Sequence, residues 1–286
     1  MSLRRIALAA LGAAVVLAAA PPAAAQWGPS YSAVKGMDES FRIDFGGFFQ
    51  KFDTVVFLES ADGKRTEISL EDTLAQDNHK TSLRFEGYWR FGRHARLQFG
   101  YLGWNRSATT AISQDIQWGD YLYHAGAVVD STIKMKVVDL YYAYSFVNTG
   151  EMEIGSMLGF STYITSASLD AVGTITGPDG TVSQVYSDEN HRIWVPVPAT
   201  GAYFRYTLLP GFTLEAQVKW LPTITISGYE GGMLEYRAGL NLYFTKNIGI
   251  GGAYQYSSIH VSHTETNTIG FDYKYSGPYG YLSLAF

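Results

Sequence analysis

A period of two constrains this chain more than any other feature. From Thr81 to Phe91 the odd positions are Leu83, Phe85, Gly87, Trp89 and Phe91, and the even ones are Ser82, Arg84, Glu86, Tyr88 and Arg90. Successive side chains of a strand point to opposite faces, so this segment is a strand with one apolar and one polar face. The pattern resumes after Gly92-Arg93-His94, with Leu97, Phe99 and Tyr101 opposed to Arg96, Gln98 and Gly100. It recurs at Val138 to Phe146, Phe204 to Leu208, Phe212 to Trp220 and Leu234 to Phe244. Ile248, Ile250, Tyr254 and Tyr256 form a further apolar face, and Ile43, Phe45 and Phe49 oppose Arg42, Asp44 and Gln50 in the opening strand. In the last strand Ile269, Phe271, Tyr273 and Tyr275 read as the apolar face, with a kink at Gly277-Pro278 before Leu282, Leu284 and Phe286. About ten strands are expected, with eight or twelve open.

The first residues are of a different kind. Arg4 and Arg5 precede an apolar run from Ile6 to Ala20, followed by Pro21, Pro22 and Ala23 to Ala25. This is the order of a secretory signal peptide, with cleavage expected between Ala25 and Gln26; the run of about 15 apolar residues is shorter than a spanning helix needs. Residues 1–25 are therefore read as the signal peptide and 26–286 as one domain, since no linker or charge block divides them. Loss of Arg4 and Arg5 takes the net charge from −5 to −7, and no basic patch offers itself to nucleic acid. There is no cysteine, which excludes disulfides and thiolate-bound zinc.

The domain, residues 26–286, holds no apolar stretch able to span as a helix, while the chain carries 21 Tyr, 16 Phe and 30 Gly. Aromatic residues concentrate where hydrocarbon meets headgroup. Strands can cross lipid only when closed on themselves, since every backbone amide must be bonded. The expected fold is all-β: a transmembrane antiparallel up-and-down β-barrel. Short turns near 92, 148, 210 and 246 are assigned to the periplasmic side, and longer connections near 59–80, 107–132 and 167–190 to the extracellular side.

The carboxy-terminal Tyr281-Leu282-Ser283-Leu284-Ala285-Phe286 resembles the assembly signal that ends outer-membrane barrels. The resemblance implies recognition by the barrel-assembly machinery through Leu282, Leu284 and Phe286. In size, loop asymmetry and strand texture the chain resembles the small monomeric Gram-negative barrels typified by outer membrane proteins A and W. That implies an outer-membrane address, contact with its lipid and lipopolysaccharide, and a monomer.

On the face away from lipid, Arg42, Arg84, Arg90, Arg96, Arg205, Lys219, Arg237 and Lys274 would meet Asp44, Glu86, Asp139, Glu153, Glu215, Glu235 and Asp272. A bore of eight to ten strands is narrow enough for these charges to pair across it. The preferred reading is a salt-bridged plug in a non-enzymatic barrel that serves envelope structure or binds ligands through its external loops; the alternative is a pore for small solutes or ions. Trp118, Tyr121, Tyr123 and His124 are candidate contact residues, their alternative being packing against the rim. His260-Val261-Ser262 resembles the His-x-Ser pair of lipid A deacylase barrels, which would imply a lipid-modifying enzyme; a polar strand end is the preferred reading, and no catalytic residue is assigned. The remaining histidines have no metal-ligand spacing, and neither metal nor cofactor is expected.

Overall fold

In a computed structural model, the structure describes residues 39–59, 65–113, 115–118, 121–177, 180, 182–187, 191–226, 228–264 and 268–286. The expected signal peptide, residues 1–25, lies outside them.

The strands are β1 (Phe41–Glu59), β2 (Arg65–Ser69), β3 (His79–Arg90), β4 (Ala95–Ala111), β5 (Ile116–Trp118), β6 (Tyr121–Tyr123), β7 (Val128–Asn148), β8 (Met152–Thr176), β9 (Val182–Ser187), β10 (His191–Leu209), β11 (Phe212–Ile226), β12 (Tyr229–Tyr243), β13 (Ile248–Thr264) and β14 (Thr268–Ala285). A single helical turn, α1 (Leu70–Thr73), lies between β2 and β3. Ten of these strands form a closed antiparallel barrel in the order β1-β3-β4-β7-β8-β10-β11-β12-β13-β14, with β14 returning to β1. Closure satisfies the backbone and removes every barrel edge.

Residues 91–94, 149–151, 210–211 and 244–247 make the tight connections at one end, where the start of β1 also meets the end of β14: Ser40 N donates to Phe286 O at 2.6 Å. The long connections all leave the other end, here called the outer end. They carry small sheet elements: β2 continues the wall above β3 by pairing with Val55 to Glu59, and β5–β6 and β9 extend the wall beside β8.

Large apolar side chains stand exposed on all ten barrel strands, among them Phe49, Trp89, Tyr101, Leu140, Phe160, Leu208, Trp220, Leu240, Tyr254 and Leu282. On β7 the belt runs from Phe146 to Val138, roughly 27 Å along the strand, or about 20 Å of height at a tilt near 40°. This is close to the apolar band of outer-membrane barrels, about 25 Å.

Beyond the belt the alternation keeps its period and changes its sense. Along β7 the outward residues Phe146, Tyr144, Tyr142, Leu140 and Val138 give way to Lys136, Lys134, Thr132 and Asp130, while the inward ones change from Ser145 and Asp139 to Val137, Met135 and Ile133. The outer solvent is hydrocarbon below this level and water above it, and the interior complements it in each half.

This inversion corrects the reading of the last strand. Burial alternates without a break from Tyr273 to Ala285, so Tyr273 and Tyr275 point inward and Gly277-Pro278 causes no change of face. Lys274 and Asp272 therefore stand on the outward face, apart from the lumen charges. A charged residue reads as inward only where lipid lies outside, and these two lie above the belt.

Candidate functional site

The lumen is filled in three layers. The layer nearest the tight turns is ionic. Arg42 reaches Asp44 through Nε at 2.9 Å, Glu215 through Nη1 at 2.5 Å and Asn241 through Nη2 at 2.8 Å. Arg90 grips Glu153 with two bonds of 3.1 and 3.0 Å, and Arg96 and Arg205 approach the same carboxylate at 3.4 and 3.3 Å. Arg205 also bridges Glu215 at 2.8 Å and Glu39 at 2.7 Å. Arg84 pairs with Glu86, which also meets Arg237, and Lys219 holds Asp139 at 2.8 Å and Glu235 at 2.9 Å.

These contacts join seven cations (Arg42, Arg84, Arg90, Arg96, Arg205, Lys219, Arg237) to seven anions (Glu39, Asp44, Glu86, Asp139, Glu153, Glu215, Glu235). Charges shielded from water persist when each has a partner, and here the balance is even. Tyr88 and Tyr203 add ring faces to Arg96, with centroids 4.6 and 3.9 Å from the guanidinium carbon. Glu39 is the one member absent from the sequence reading. It precedes the first alternating residues, so periodicity carried no signal for it.

The middle layer is aromatic and apolar. Phe52 packs on Trp104 at 5.6 Å between centroids, Trp104 lies parallel to Tyr273 at 6.0 Å, and Phe48 meets Tyr275 edge-on at 6.1 Å. Met135, Met157 and Met233 fill the remaining space.

The outer layer comes from the connection after β2. The segment from α1 to Asn78 folds into the mouth, burying Leu70 and Leu74 against Val129, Ile133, Ala171 and Ile175. Ser69 caps the turn by accepting from Asp72 N at 3.1 Å. Glu71 accepts from Thr54 N at 2.9 Å and pairs with Arg106 at 2.5 Å, while Gln76 donates to the Ser131 hydroxyl at 2.6 Å. Arg106 in turn lies over the Phe52 ring at 4.5 Å, which ties this lid to the aromatic layer. Voids of about 60 and 10 Å³ lie among the ionic residues. They have room for a few waters.

The other sequence candidates separate. Tyr123 is fully buried under the lid, beside Leu70, and offers no contact surface. His124 lies at the rim with Asp115 at 3.1 Å and Thr176 at 3.0 Å; the side chains of Trp118 and Tyr121 lie outside the described residues. His260 stacks on Phe57, faces Asp272 with Nδ1 at 2.5 Å and faces Glu230 with Nε2 at 3.3 Å. Both ring nitrogens are engaged by carboxylates, so in this geometry neither is turned to the Ser262 hydroxyl as a general base. Among the described residues no group of His, Cys, Asp or Glu could hold a metal ion. Leu282 and Phe286 are exposed on the outer face at the tight-turn end, Leu284 is half-buried there, and Lys274 lies 3.7 Å from the exposed Asp53.

No protein-family model matches the chain, and no curated protein does. Among solved structures, the outer membrane protease OmpT of Escherichia coli superposes with a TM-score of 0.59, covering 91% of this chain and 99% of that one at 12% identity. The outer membrane protein OprG of Pseudomonas aeruginosa gives a TM-score of 0.38, covering 87% of this chain and 98% of that one at 11% identity. At these identities the first likeness is one of fold, and the second overlap is too loose to inform. The chain has the fold of an outer-membrane β-barrel.

Proposed function

We propose that this protein is an integral outer-membrane barrel with a non-conducting lumen, acting in envelope structure and in binding through the part of its wall that rises above the lipid. The observation that carries this reading is the filled bore. An ionic layer, an aromatic layer and the inward lid follow one another along the axis, each closed by named contacts. A conduit needs a continuous opening wider than about one water molecule.

The belt on all ten strands supports the address, because apolar surface of that extent is unstable in water. The reading includes export by a cleaved leader at residues 1–25, recognition of Leu282, Leu284 and Phe286 by the assembly machinery, and a monomer in lipid. The binding part of the proposal draws on wall height. β7 has 21 residues and β8 has 25, against 15 each in β11 and β12, and a spanning strand needs about 9–11. The wall is therefore tallest at β7 and β8, where β5, β6 and β9 add to it.

The test is the conductance of the purified full chain in planar bilayers. Insertion without current steps is expected; reproducible discrete steps from inserted protein would refute the closed lumen and restore the pore.

A further inference from the structure

Outward-facing cations above the belt do not all share one environment. Lys274 has Asp53 beside it, whereas Lys134 and Lys136, two apart on one face of β7, make no ion pair among the described residues. Both are exposed. Their cross-strand neighbours carry no charge: Asn105 and Ser166 flank Lys134, and Gly103 and Ile164 flank Lys136. Two lysines thus project from backbone positions about 7 Å apart along the strand, without a counter-ion among the described residues.

Their height is informative. Lys136 is the first outward residue beyond Val138 and Leu140, at the step where the outer face changes from apolar to polar. Beside it, Gly103 leaves space that the Tyr101 side chain occupies: the phenol oxygen lies 2.9 Å from where a Cβ on Gly103 would sit. Tyr101 itself is exposed, so its hydroxyl reaches the Lys136 level from a ring within the belt. One further strand over, Arg192 holds the register position opposite Ser166.

We propose that Lys134 and Lys136, with the Tyr101 hydroxyl, bind the phosphate of a phosphorylated glycolipid headgroup of the lipid A type in the outer leaflet. An acidic headgroup at this level supplies the missing anion, and its acyl chains would lie against Val138 and Leu140. Lysine suits this role because a mobile ammonium follows a phosphate without fixed geometry. The assignment rests on the membrane reading given above.

The experiment reconstitutes the full chain into phosphatidylcholine vesicles doped with bisphosphorylated lipid A, or with the same lipid stripped of its phosphates. Lipid retained per barrel is then counted by native mass spectrometry after mild extraction. The wild type is expected to retain the phosphorylated lipid alone. Lys134→Gln with Lys136→Gln is expected to cut retention about tenfold or more, and Lys134→Arg with Lys136→Arg to preserve it. Heat-modifiable gel mobility verifies that each variant is folded. Equal retention by the glutamine variant, equal retention of the stripped lipid, or complete competition by inorganic phosphate would each overturn the lipid site. Failure to insert into either vesicle would instead overturn the membrane reading beneath it.

Discussion

Glu153 is the most heavily used carboxylate in the ionic layer. Arg90, Arg96 and Arg205 all lie within 3.4 Å of it, the Ser145 hydroxyl donates to it at 2.5 Å and the Tyr203 hydroxyl at 3.3 Å. Its side chain is almost fully enclosed. Removing one partner from a buried ionic cluster costs more than the pair contributes, because the charges left behind cannot recover their hydration. Glu153→Gln is therefore expected to destabilise the folded barrel by about 3–5 kcal/mol, measured by denaturant unfolding in lipid or detergent. Lys274→Gln breaks a pair that is exposed on both sides, and an exposed pair is worth about 1 kcal/mol at most. If the two variants shift the midpoint alike, the lumen charges are hydrated and the ionic layer does not hold the barrel together.

At the scale of elements, β1 and β14 close the barrel, and their seam depends on missing side chains. A Cβ on Gly277 would fall 1.8 Å from Phe49 O, and one on Gly46 would fall 1.9 Å from Gly280 O, both against backbone that cannot yield. A Cβ on Gly280, in the same strand, would meet nothing within 4 Å. Gly277→Ala is expected to abolish the heat-modifiable folded band, and Gly280→Ala to retain it; a folded Gly277→Ala barrel would show that the seam can open to admit a methyl group. The strands themselves were legible, because a period of two survives whichever solvent lies outside. The sense of the alternation was not. Asp272 and Lys274 obey the same period as Arg84 and Glu86, and only their height relative to the belt distinguishes outward from inward. The lid was equally hidden: Leu70 and Leu74 sit in a polar connection whose composition reads as external, and their burial depends on Val129, Ile133 and Ala171 from distant strands. Most of the charge network was readable because it lies at belt height, where every non-lipid position is interior.

Taken as a whole molecule, the lumen carries three layers in series, and under the closed-lumen proposal each of them bars the axis. The lid is held by Glu71, Gln76 and two leucines, while the aromatic layer beneath it is held by strand residues, among them Phe52, Trp104 and Tyr273. Ala75, within the lid, takes a left-handed φ of 51°, a conformation that costs a non-glycine residue roughly 1 kcal/mol or more. The lid is built from a connection and not from wall strands, so its loss leaves the barrel ladder intact and costs mainly the Glu71 partner of the buried Arg106. Replacing residues 70–76 by a short Gly-Ser linker is expected to leave an inserted barrel that still passes no current, because Phe52, Trp104 and the fourteen paired charges below remain in place. The same replacement removes the apolar cover from Val129, Ile133 and Ile175, so binding of a hydrophobic fluorescent dye at the outer mouth should rise. Current steps from the lid deletion alone would show that the strand-borne layers leave a path, and the lid would then be the gate of a channel.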